Sequence, residues 1–265
     1  MRIAWLTDIH LNFLTASAIQ DFISGVKAGK PEAILISGDI GESHDVAELL
    51  YSMQQALNCP IYFILGNHDY YLSSIKDVRS VIVELEANTK ELIYLTFSEC
   101  VPLTENTILM GHDSWSDGRY GDYESSDVML NDYYYISDFV GLDKSKRLIV
   151  MQSLAQEAAE HFRKCLIEAF DKVENVILLT HVPPFKEACL YQGKISDKIF
   201  LPHFSCKIVG DVIIEIMKAR PDKNLTVLCG HTHDMAEVNI LPNLKVLAGK
   251  TEYGSPEIQR IIQID

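Results

Sequence analysis

Nine histidines and a scatter of aspartates carry most of the reactive chemistry available to this 265-residue chain. Five of those histidines fall into short blocks: Asp8-Ile9-His10, Gly38-Asp39, Gly66-Asn67-His68-Asp69, His181 and Gly230-His231-Thr232-His233. The blocks hold carboxylates, imidazoles and one amide but no thiolate, a donor set for borderline divalent ions such as Mn, Fe, Co, Ni or Zn. Asp8, His10, Asp39, Asn67, His181, His231 and His233 are more donors than one catalytic zinc takes. They suit two ions that share a ligand. A carboxylate has two oxygens, so Asp39 is the natural bridge.

What must position these residues is visible just upstream of each block. Short apolar runs at 3–7, 33–37, 61–65, 176–180 and 225–229 read as buried strands, and each block begins where a run ends. The C-terminal edge of a parallel sheet is where ligands bind in open α/β folds. Helical patterns at 15–27 and 45–57 separate the first three runs, with Pro31 and Pro60 as terminating punctuation. Further helices are expected at 73–86, 144–173 and 211–219. Strands are expected at 236–240, 245–248 and 258–264, with Pro242-Asn243 turning a hairpin and these last strands running antiparallel. In extended backbone residues two apart face the same side, so Asp8 with His10, and His231 with His233, should each aim two ligands into one space. Glycine precedes three of the ligand positions, as Gly38, Gly66 and Gly230, and relieves crowding near an ion.

Composition excludes other classes. Lys and Arg number 23 against 37 Asp and Glu, a formal charge of −14. That argues against broad nucleic-acid or anionic-membrane binding by charge. No apolar run reaches membrane-span length and no signal peptide is visible. Six cysteines form no C-x-x-C pair. The expectation is a cytoplasmic protein with free thiols and no membrane association. A single domain over residues 1–265 is expected, with a cap or loop insertion at about 111–141, where the chain is irregular and rich in Asp, Ser, Gly and Tyr.

Taken together and in order, the five blocks resemble those of the calcineurin-like metallophosphoesterase superfamily, and the resemblance runs from residue 8 to residue 233. It implies an α/β fold, a four-layer αββα sandwich of two mixed sheets flanked by helices. It also implies a dinuclear centre with Asp8, His10, Asp39 and His233 on one ion and Asp39, Asn67, His181 and His231 on the other, with manganese or iron favoured. A bridging hydroxide would attack a phosphomonoester or phosphodiester. His68 would protonate the leaving oxygen, and Asp69 would orient His68. The departures narrow the branch. Glu42 stands where purple acid phosphatases have Tyr, and Asp69 where Ser/Thr protein phosphatases have Glu. The pattern is similar to that of small bacterial-type members.

Around this centre, His112 and Trp115 are candidates for substrate binding, and substrate choice is expected to lie in 111–141 and 185–206. Tyr133–Tyr135 and Cys229 read as packing residues, and His44, His161 and His203 have no block to belong to. The expected partner is a small anionic phosphoester: two divalent ions on two aspartates leave a locally positive pocket in an acidic chain. Two other readings use the same fold, a catalytically silent scaffold that recruits protein partners and a nuclease.

Overall fold

The computed structural model describes residues 1–98 and 100–265. Its strands are β1 (Arg2–Leu6), β2 (Ala33–Ser37), β3 (Ile61–Ile64), β4 (Leu92–Tyr94), β5 (Val101–Thr104), β6 (Thr107–His112), β7 (Asn175–Thr180), β8 (Leu190–Tyr191), β9 (Lys194–Ile195), β10 (Asn224–Cys229), β11 (Ala236–Leu241), β12 (Leu244–Ala248) and β13 (Arg260–Gln263). The helices are α1 (Ala16–Ala28), α2 (Val46–Leu57), α3 (Ile75–Ala87), α4 (Asp132–Tyr135), α5 (Lys144–Phe170), α6 (Leu201–Phe204) and α7 (Lys207–Ala219).

One sheet has the order β13-β1-β2-β3-β4 and the other β11-β12-β10-β7-β6-β5, with β8 and β9 forming a separate small hairpin. The strands that lead into the five blocks run parallel to their neighbours: β1, β2 and β3 in the first sheet, β7 and β10 in the second. Antiparallel pairing is confined to the edges, at β13, β11 and β5. The expected hairpin between β11 and β12 is present, but β12 lies parallel to β10, so the C-terminal part is less antiparallel than its turn suggests.

Alternate residues of the strands supply separate cores, which is why the runs are apolar throughout. Ala4, Leu6, Ile34 and Ile36 pack beneath α1, α2 and α3. Val176, Leu178, Leu225 and Val227 pack against α5 and α7. Ile3, Trp5, Leu35, Ile177, Leu179 and Leu228 fill the space between the two sheets. A strand covered on both faces has no polar side to show, and the result is four layers, helix–sheet–sheet–helix. The long α5 buries Met151, Ala155, Ala158, Phe162, Leu166 and Ala169 along one stripe. Its first turn is capped by Asp143, which accepts from the Lys146 amide at 2.9 Å. Strands β4 and β5 carry no signal strong enough to expect from sequence, being short and flanked by polar residues. Among the described residues no helix is long and apolar enough to cross a membrane.

Candidate metal centre

The five blocks converge at the C-terminal ends of β1, β2, β3, β7 and β10. Backbone bonds lace the loops together before any side chain is counted. The Asp8 amide donates to Gly38 O at 3.0 Å, His10 to Asp39 O at 3.0 Å, and Gly230 to His181 O at 2.9 Å. The two glycines that matter most stand where a side chain would collide with a donor: a Cβ at Gly66 would strike the Asp39 carboxylate, and one at Gly230 the Asp8 carboxylate.

Asp8 and His10 do face one space, as do His231 and His233, but strand alternation is not the reason. Asp8 (φ 48°), His10 (φ 41°), Asp39 (φ 54°), His231 (φ 69°) and His233 (φ 55°) all adopt left-handed backbone. The chain leaves each strand and turns sharply to aim its donor. Such conformations cost about 1–3 kcal/mol each and gather at functional sites.

The donors form two groups around Asp39. In the first, His10 Nε2 and His233 Nε2 are 3.3 Å apart, Asp8 Oδ1 is 3.4 Å from His233 Nε2, and Asp39 Oδ2 is 3.7 Å from His10 Nε2. Asp8, His10, Asp39 and His233 each offer one atom to a cluster whose members all lie within 4.8 Å. In the second, His181 Nε2 is 3.4 Å from Asp39 Oδ1 and 3.0 Å from Asn67 Oδ1, and His231 Nδ1 is 2.9 Å from Asn67 Oδ1. Ring nitrogens and oxygens this close need a proton or a cation between them, and the first group is a donor set that fits a metal ion, with Asn67, His181 and His231 gathered on the other side of Asp39.

Protonated histidine keeps the two carboxylates of the site charged. Burial works against charge on Asp8, yet its His233 hydrogen bond and the charges of His181 and His233 hold the carboxyl down to about 2. Asp39 is likewise held well below the usual carboxylate range, against burial, chiefly by His181 and His68. Burial alone would lower His181, but Asp39 and Asp8 push it up to about 10. His10 falls to about 4 through burial, and His231 to about 3 through burial and its neighbour His181. Two carboxylates thus stay ionised in a closed space, with positive charge gathered on His181.

The outer contacts fix which ring nitrogen faces inward. His181 Nδ1 meets Ser37 O at 2.9 Å, and His231 Nε2 meets His203 O at 3.2 Å. His203 therefore has a place after all: its carbonyl holds His231, while its ring is bonded to Tyr133 and Ser126. Asn67 is held by Asp132, whose Oδ1 accepts from Asn67 Nδ2 at 2.8 Å and from the Tyr71 hydroxyl at 2.9 Å.

Three expectations from sequence are corrected here. Asp69 does not touch the His68 ring. Its carboxylate accepts from the backbone amides of Asp39 (3.0 Å), Ile40 (2.8 Å), Gly41 (2.9 Å) and Gly66 (2.8 Å), pinning the loop after β2 to the loop after β3. The reason is the 3-10 turn over His68–Tyr70, in which consecutive side chains point about 120° apart. His112 is buried and lies 3.3 Å from Glu157, packed on His161 and Phe162. Trp115 is buried against Phe139 and Tyr70, behind the centre. Neither lines the large cavity in front of the donors. That cavity is lined instead by Leu130, Asn131 and Asp132 of the 111–141 stretch, together with Tyr71, Phe204 and Tyr253. His68 faces it, with its ring centroid 4.3 Å from that of Tyr71 and 4.6 Å from that of His10.

Two stacked mixed sheets with an Asp/His/Asn centre on their shared rim define a metallophosphoesterase-like molecule. The calcineurin-like phosphoesterase model matches residues 1–235, and the chain belongs to that family. Solved structures of similar fold include a dimetal phosphatase from Danio rerio (11% identity, TM-score 0.62), covering 97% of this chain and 89% of that one. Another is the phosphopantetheinyl hydrolase of Mycobacterium tuberculosis (11% identity, TM-score 0.64), covering 95% and 89%. At such identities the likeness concerns the fold. A curated relative, the transmembrane protein with metallophosphoesterase domain of Danio rerio, is 34% identical over 82 residues, which span 29% of this chain and 18% of that protein.

Proposed function

We propose that this protein hydrolyses a phosphomonoester or phosphodiester with two divalent ions, manganese or iron before zinc, nickel or cobalt. The carrying observation is Asp39, whose two oxygens face two separate donor groups, Oδ2 toward His10 and Oδ1 toward His181. Asp8, His10, Asp39 and His233 would hold one ion, and Asp39, Asn67, His181 and His231 the other. Bound ions would supply Lewis acidity to the phosphoryl oxygens and lower the pKa of a water to near neutrality.

The chain's own residues do the rest. His68 stands at the cavity with its backbone amide on Asp39 Oδ1 at 2.9 Å, which fixes the imidazole beside the donors. From there it delivers a proton to the departing alkoxide as the P–O bond breaks. Water supplies the oxygen that joins phosphorus, and the alcohol leaves with the proton from His68. Tyr71 and Tyr253 flank that ring and narrow the water's approach. The complete donor set argues against a silent scaffold. Six cysteines without a disulfide suit a reducing compartment such as the cytoplasm.

The test is reconstitution. Metal-stripped protein should hydrolyse an aryl phosphate or aryl phosphodiester only after Mn²⁺ or a similar ion is returned. Turnover in chelator by protein shown to be free of metal overturns the reading.

A further inference from the structure

The cavity in front of the donors has walls unlike those of a site for phosphate chains. Its volume is about 620 Å³, within the range of small-molecule sites. The floor is Asp39, Asn67, His231 and His233, and the walls are largely rings: Tyr71, Tyr191, Phe200, Phe204 and Tyr253. Phe204 is anchored on His231, with centroids 4.9 Å apart, and Tyr253 on Phe13 at 5.0 Å. Tyr191, Phe200 and Tyr253 nonetheless remain 67%, 44% and 53% exposed, a concentration of open apolar surface around one opening.

Charge along the same walls is the second observation. Among the described residues, no Lys or Arg lines the cavity; the ionisable wall groups beyond the donors are His68, which is reserved for the leaving oxygen, and Asp132 and Asp197, together with the tyrosines. The basic residues of the segment that carries Tyr191 and Phe200, Lys194 and Lys198, are not in the lining, and Lys198 lies 3.9 Å from Asp122 instead.

We propose that the substrate is an ester with a single anionic group, the scissile phosphoryl, carried on a large aromatic or otherwise apolar alcohol. The inference rests on the hydrolase reading above and deepens it. One phosphoryl is all that the donor floor can neutralise. A second phosphoryl, or the backbone of a nucleic acid, would lose hydration without gaining a counter-charge and would face two carboxylates. An apolar body gains by covering the exposed rings. A nucleotide anhydride or an oligonucleotide is therefore a poor occupant.

The experiment uses three esters with closely similar leaving groups and the manganese-reconstituted full chain: phenyl phosphate, 2-naphthyl phosphate and 6-sulfo-2-naphthyl phosphate. The second ring should raise kcat/KM by about tenfold or more over phenyl, and the added sulfonate should remove that gain. Phe200→Ala, at a half-exposed position, should lower kcat/KM for the naphthyl ester about tenfold more than for the phenyl ester. Equal rates for phenyl and naphthyl, or a sulfonated ester as good as its parent, overturn the substrate class and leave the hydrolase intact. If none of the three turns over, and the corresponding aryl phosphodiesters do not either, the hydrolase reading fails. Calorimetric binding of naphthyl- against phenylphosphonate to the metal-loaded chain then still decides the pocket's preference, and equal affinities overturn it.

Discussion

Asp132 holds Asn67 by a hydrogen bond of 2.8 Å, and in doing so turns the opposite end of that amide, Oδ1, toward His181 and His231. The contact joins the stretch 111–141 to the centre across 65 residues of chain. An asparagine amide is symmetric in shape, so without an acceptor on one side nothing sets which end faces the ion. Asp132→Ala should weaken metal binding about 10–100-fold, measured by calorimetric titration of the stripped protein. Asp132→Asn keeps an acceptor and should restore part of that affinity. Unchanged affinity in the alanine variant, with the fold intact by circular dichroism, rules the positioning role out.

Asp39 and His68 should separate metal binding from chemistry. Asp39→Asn removes the shared carboxylate, and bound metal should fall below two ions per chain with activity down by at least about 100-fold. His68→Ala should keep two ions and lose about 10²–10⁴-fold in kcat. Metal analysis beside steady-state kinetics reads both. A His68 variant that loses its metal but not its kcat per bound site would contradict this assignment.

Asp69 should act on stability rather than on the proton transfer. Burial and the charge of Asp39 push its carboxyl up, to about 8, against the pull of its backbone amides. Asp69→Ala leaves four amides without an acceptor, and urea denaturation should show a loss of about 3–5 kcal/mol. If Asp69 tuned His68 instead, the variant would keep its stability and shift the pH profile of kcat.

Asp113 is the other buried hub, and its effect depends on pH. Its carboxylate accepts from the Leu65 amide (2.7 Å), the Tyr70 hydroxyl (2.6 Å), Thr96 Oγ1 (2.7 Å), Arg79 Nε (3.1 Å) and the Tyr94 hydroxyl. Burial raises it, but Arg79, His112 and the tyrosine bonds outweigh burial and hold it below 3.8. A depressed folded pKa gives stability that is complete above 3.8 and is lost as pH falls through the lower folded value. Asp113→Ala should cost about 3–5 kcal/mol at neutral pH. It should also flatten the acid limb of the stability curve below about pH 4. An acid limb as steep as the parent's would show that other carboxylates carry it.

Much of this was legible in the chain itself. Each donor block follows an apolar run, and both the run and the block are local patterns: burial on two faces demands continuous apolar residues, and a metal demands particular atoms. The five strand ends and the donor types follow from that, and the four-layer sandwich from the resemblance that the ordered blocks carry. What the sequence could not decide is which way each side chain points once the chain turns. Asp69 adjoins His68 but faces the other way, because a 3-10 turn separates neighbours. His112 ends a strand and Trp115 follows it, much as the donors follow theirs, yet both pack behind the centre. Asp132, His203 and Tyr253 carry no motif, and they reach the centre only because the loops fold over it. Contacts such as Asp8 to the His231 amide, 223 residues apart, exist only after two sheets have packed face to face. Only the tertiary structure brings such partners within reach, because hydrogen bonds act at about 3 Å and leave no trace in local composition.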